Sequence, residues 1–136
     1  MNYRRMLLGG LLAGVLICAS EFVLNGVVLA AQMEAEMART GLQYASWSMP
    51  AYVVMTFVYG LFLAWFYAAI RPRFGPGPRT AVIAAAGLWL VAYLLPSIGF
   101  LAMGIGPAGT FAIALVWGAV ELALAALLAA WYYREA

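Results

Sequence analysis

The chain has 136 residues, of which 68% are hydrophobic and only 9% charged. Soluble domains carry roughly 25% charged and about 45–50% apolar residues, so this composition cannot cover a water-facing surface and implies lipid as the main solvent. The net charge of +2, from seven Arg and five Glu with no Lys, Asp or His, is too small to argue for nucleic acid. Without His, and with one Cys, the chain alone cannot build a zinc site, a His-ligated haem, a Ser-His-Asp triad or a two-Cys redox pair.

A transmembrane helix needs about 20 mainly apolar residues. Four stretches qualify, 6–31, 50–70, 80–103 and 110–133. The first follows a basic start, Arg4-Arg5, as a signal peptide would. Its apolar run resumes after Glu21 and reaches Ala31, too long for a signal core, so it is expected to remain as a span. Cys18 lies deep in that run and is expected to pack as a small hydrophobe.

The segment 32–48 is too polar for the bilayer core and is expected outside the cytoplasm, partly helical, with Met33 and Met37 four apart and Gly41 as its stop. Ser48-Met49-Pro50 offers a cap and a helix-starting proline. The run from Arg71 to Arg79, with Pro72, Gly75, Pro76, Gly77 and Pro78, is expected to be non-helical, and Thr80 to cap the third span. Pro96 interrupts that span's backbone hydrogen bonding. Gly106-Pro107-Ala108-Gly109-Thr110 makes the turn into the fourth. Such short connections predict a single all-α domain over 1–136, an antiparallel four-helix membrane bundle running up-down-up-down.

Arginine placement sets the orientation. Arg4, Arg5, Arg71, Arg73, Arg79 and Arg134 fall on one side of four spans, and Arg39 on the other beside Glu34 and Glu36. The positive-inside rule then puts both termini in the cytoplasm. Trp65, Tyr67, Trp131, Tyr132 and Tyr133 are expected to form the inner aromatic belt, with Tyr44 and Trp47 near the outer interface.

Two acids, Glu21 and Glu121, fall inside apolar spans, where a carboxyl usually faces the protein interior. Gly10, Gly14, Cys18, Glu21 and Asn25 share one helix face, and Ala114, Gly118, Glu121, Ala125 and Ala129 repeat the pattern. Both acids lie roughly 15 Å below the outer interface at a ~1.5 Å rise per residue, so they can face one another. Thr56 and Tyr59 in the second span, and Tyr93 and Ser97 in the third, fall in the same half of the membrane. Two interpretations stay open: a proton or cation site in a polar cavity, or carboxyls that only hydrogen-bond neighbouring helices. The small-residue face at Gly10, Gly14 and Gly118 serves packing within the bundle or contact with another chain.

In layout the chain resembles small bacterial four-helix membrane proteins of unknown function. The resemblance rests on Met1-Asn2, the first span ending Asn25-Gly26-Val27-Val28-Leu29, the loop from Arg71 to Pro78, and Trp117-Gly118 with Glu121. It covers nearly the full length and implies a bacterial inner-membrane location. In layout only, the chain also resembles the small multidrug resistance transporters, which have four helices and one acid in the first, where Glu21 stands here. Those transporters are shorter and lack counterparts of Glu121, the polar segment and the Gly-Pro loop, and the chain is not assigned to them.

These residues together predict a non-enzymatic membrane component without cofactor or metal. It is expected to be a self-associating bundle, a homo-oligomer or an accessory subunit of a larger complex. The alternative is a small proton-coupled carrier using Glu21 and Glu121.

Overall fold

The computed structural model describes residues 1–133; Arg134, one of the arginines used for orientation, lies outside the described residues. The described residues form helices α1 (Tyr3–Val23), α2 (Ala30–Thr40), α3 (Ser48–Phe74), α4 (Pro78–Trp89), α5 (Leu95–Ala102) and α6 (Ala108–Tyr132). Single π-helical turns, Leu24–Val28 and Leu90–Leu94, follow α1 and α4. Four stretches are long and apolar enough to cross a membrane: Tyr3–Val28, Ser48–Phe74, Pro78–Ala102 and Ala108–Tyr132. Their outward faces carry exposed Val15, Val54 and Val116, as lipid-facing surfaces do.

Several boundaries differ from the sequence expectations, each for a local reason. The first span does not run to Ala31. Its backbone widens into the π turn, where the Leu29 N–H bonds back to Leu24 O at 2.7 Å, and breaks at Leu29 before α2 begins. Gly41 does stop α2, in the left-handed conformation (φ 71°) that glycine tolerates. Ser48 does not cap α3; it is the first helical residue, and its hydroxyl donates to Ala45 O.

The run after Arg71 is also more helical than expected. α3 continues through Pro72 to Phe74: the proline removes one backbone donor, but only two helical residues lie beyond it to be displaced, and Gly75 (φ 83°) turns the chain. Pro78 restarts the helix at a position where its missing N–H costs nothing. Thr80 is therefore not the cap. It is buried, and its hydroxyl reaches back to Gly75 O at 2.7 Å.

The third span accommodates Pro96 by the second π turn. Proline cannot donate to the preceding turn, and the ladder shifts so that the Leu95 N–H bonds Leu90 O.

α1 packs most closely on α3, and α6 packs on α1 and α4. The α1–α3 contact is backbone to backbone. A Cβ on Gly10 would lie 2.8 Å from Leu61 Cα, and one on Gly60 would strike Gly14 N and Gly10 O. Small residues thus do here what they do in membrane helix pairs generally, letting backbones approach. At the other flank, Asn2 N–H donates to the Tyr133 hydroxyl at 3.2 Å, joining the start of α1 to the end of α6.

The core is alanine-rich and lies toward that end. Ala13 and Ile17 meet Leu63 and Ala64 of α3, Ala81, Ala84 and Ala85 of α4, and Leu122 and Ala126 of α6. Tyr67 and Tyr133, expected in an interfacial belt, are instead buried here, edge to face at 6.1 Å between centroids. The Tyr67 hydroxyl is occupied by the Gly77 N–H, which explains its place inside. Trp65 and Trp131 do face outward.

Candidate functional site: two carboxyls on one tyrosine

Beyond this tight half the helices part, and the polar residues gather at the transition. Glu21, in the last turn of α1, is half-buried; Glu121 of α6 is 3% exposed. Tyr93, within the second π turn, reaches between them. Its hydroxyl lies 2.9 Å from Glu21 Oε1 and 2.9 Å from Glu121 Oε1. Three of the four spans therefore meet at one phenolic oxygen.

A phenol has a single proton to donate. With both carboxyls ionised, the Tyr93 hydroxyl serves only one of them. Both 2.9 Å contacts are satisfied when one carboxyl carries a proton and donates it to the phenolic oxygen, while the phenol donates to the other. The geometry suits a group of three oxygens that shares one extra proton.

The two acids differ in surroundings. Glu21 Oε2 accepts from the amide of Asn25 at 2.7 Å, one helical turn on. Glu121 Oε2 is buried with no donor in hydrogen-bonding geometry, although the Ser20 hydroxyl neighbours that carboxyl. Ser20 is itself fixed by the Trp117 indole N–H at 2.9 Å. Sequence reasoning placed neither residue at the site, and Trp117 entered it only through the resemblance. The available signal was an indole N–H one turn before Glu121, which must find an acceptor inside lipid.

Of the other expected residues, Tyr59 stands half-buried near Glu21 but hydrogen-bonds neither acid among the described residues. Thr56 donates to Val53 O at 2.7 Å and Ser97 to Tyr93 O at 2.6 Å. Both hydroxyls thus stay on their own helices, the common fate of Ser and Thr within helices. Gly118 bears directly on the site: a Cβ there would come to 2.5 Å from two atoms of the Tyr93 ring.

Glu21 also opens into a cavity of about 730 Å³ between the ends of α1 and α3, beneath α2. Cys18, Asn25 and Phe22 form one wall, with Tyr52, Val53 and Thr56 opposite. α2 contributes Met33, Glu34 and Met37. The lining holds two carboxyls and no arginine, and the rest is mainly apolar or aromatic. The sequence indicated its two acids' helices but not this space, which depends on the break at Leu29 that folds α2 back.

The chain matches no protein-family model, no curated protein and no solved structure.

Proposed function

We propose that this chain is a non-enzymatic protein of a bacterial inner membrane, a small proton-linked carrier. It binds an amphipathic base beside Glu21, in exchange for the proton shared by Glu21, Tyr93 and Glu121. The observation that carries this function is the double contact of Tyr93, which ties a carboxyl open to a cavity to one sealed in the core. An ammonium group placed against Glu21 neutralises that carboxylate and removes its need for the proton. Apolar walls and two lining acids without an arginine complement such a ligand in shape and charge. The small residues Gly10, Gly14 and Gly118 are occupied within the chain, which favours this function over a self-associating bundle or accessory subunit.

The test is binding of a fluorescent hydrophobic amine to the protein in lipid nanodiscs, with proton release followed in weak buffer. Wild type is expected to bind and release protons, with binding weakened in acid. Glu21→Gln abolishes both without unfolding. Absent binding by wild type, or equal binding by Glu21→Gln, overturns the proposal.

We further propose an up-down-up-down bundle with both termini cytoplasmic, the orientation that the arginine asymmetry favours. Supporting this, Gly10 meets Gly60 and Leu61 while Gly14 meets Phe57, contacts that progress in opposite chain directions. Single cysteines in a Cys18→Ala background report the orientation. On intact cells an impermeant reagent is expected to label positions 34 and 39 and spare 73; the reverse pattern inverts the topology.

A further inference from the structure

α2 leaves α1 through the π turn Leu24–Val28 and a non-helical Leu29 (φ −105°, ψ 5°). Leu24 and Leu29, at the two ends of this connection, are buried and anchor it, whereas a Cβ on Gly26 between them would meet nothing within 4 Å. Ala30, Met33, Glu34 and Met37 then line the cavity from above. Their spacing is that of one helical face.

No residue of α2 is buried. Apart from the Thr40 hydroxyl, which accepts the N–H of nearby Leu42, the side chains of α2 hydrogen-bond the rest of the described chain at the turn between α5 and α6. Glu36 Oε1 accepts the Gly106 N–H at 2.9 Å, and the Arg39 guanidinium donates to Gly104 O at 3.4 Å. Arg39 also grips Glu36 with two nitrogens, Nε at 3.0 Å and a terminal nitrogen at 2.5 Å. Gly104 (φ 72°) and Gly106 (φ 76°) are both left-handed, which gives the tight turn its shape where it meets α2.

We infer that α2 is a hinged lid over the cavity, latched by Glu36 and Arg39 to the Gly104–Gly106 turn. An element with little buried surface and one exposed polar fastening opens at lower free energy than the spans beneath it. Opening at Leu29 uncovers Glu21 and Cys18 together, since both line the same space. This role holds whatever the cavity binds.

Cys18, the chain's one cysteine, reports the lid directly. The experiment follows its modification by a cationic methanethiosulfonate in nanodiscs, alongside hydrogen exchange of the backbone. Glu36→Gln and Arg39→Gln are each expected to speed modification roughly two- to fivefold, the population shift from losing an exposed ion pair. Amides 30–40 exchange faster in step, and those of 48–74 stay protected. Gly26→Ala, which meets no atom, stiffens the hinge and slows Cys18 modification. Unchanged Cys18 rates in the latch variants, with 48–74 protected, overturn the lid. Should the latch variants lose protection in 48–74, Gly26→Ala decides alone, and an unchanged rate there overturns it equally.

Discussion

Gly118 is the seat of Tyr93: the missing side chain on α6 is the space into which the aromatic ring fits, with two ring carbons 2.5 Å from where a Cβ would stand. The phenol's reach to both carboxyls depends on this contact, so a residue without functional groups positions the polar site.

Gly118→Ala is therefore expected to push the ring away and destabilise the fold by about 1–3 kcal/mol, the usual cost of overpacking. Thermal unfolding in nanodiscs measures the loss. Infrared spectra of the carboxyl region should change with it, because the ring carries the hydroxyl that both acids touch. An unaltered spectrum would mean that Tyr93 can reach both acids from elsewhere.

Tyr93→Phe keeps the ring and removes the bridge. Interhelical hydrogen bonds in membranes average about 0.6 kcal/mol each, so the loss should be on the order of 1 kcal/mol. The sharper readout is again infrared: the shared-proton signature should give way to that of separate carboxyls. Glu121→Gln should alter the same bands while leaving the helices folded.

Gly60→Ala tests the packing of α1 on α3. The new methyl would strike the backbone of Gly14 and Gly10, which cannot turn aside as a side chain can. A loss of about 1–3 kcal/mol or more is expected. Gly99→Ala is the control, since a Cβ there meets nothing within 4 Å, and it should be neutral or slightly stabilising.

The latch between α2 and the α5–α6 turn has a defined response to acid. The hydrogen bond from Arg39, helped by the Gly106 N–H, holds the Glu36 carboxyl below the usual carboxylate range. A depressed carboxyl stabilises the folded state above its unfolded pKa and loses that contribution as pH falls through its folded value. Exchange of amides 30–40, taken relative to the intrinsic rate at each pH, should hence be flat from neutral to mildly acid pH and rise as pH falls through and below the ordinary carboxylate range. In Glu36→Gln that rise should vanish; a rise beginning near neutrality would assign it to another group.

Much of this was legible in the chain because lipid leaves few options. Four long apolar runs had to be helices, and Glu21 and Glu121 on small-residue faces had to look inward. The helix ends were harder. Pro72 reads as a breaker, yet its effect depends on distance from the end of the helix, and α3 simply runs two residues further. Thr56 and Ser97 fell in the right half of the membrane, but a hydroxyl chooses between a neighbouring helix and its own carbonyls by a fraction of a turn. The π turns rotate everything beyond them, which is why Tyr93 could be named while the double contact could not. Gly60 was missed because its partner face, around Gly10 and Gly14, is 50 residues away in sequence, and a lone glycine in an apolar run carries no mark of it.

The glycine contact between α1 and α3 also bears on how the protein is made. It joins the first span to the second, so it can form while the remaining half of the chain is still on the ribosome. At that stage Glu21 has left the ribosome but its partner Tyr93 has not. Asn25, one turn away, and the growing cavity must keep that carboxyl supplied with hydrogen bonds until the third span arrives. The order of synthesis therefore permits an order of assembly: a glycine-sealed pair first, then the tyrosine that closes the polar site, and last the helix that brings Glu121.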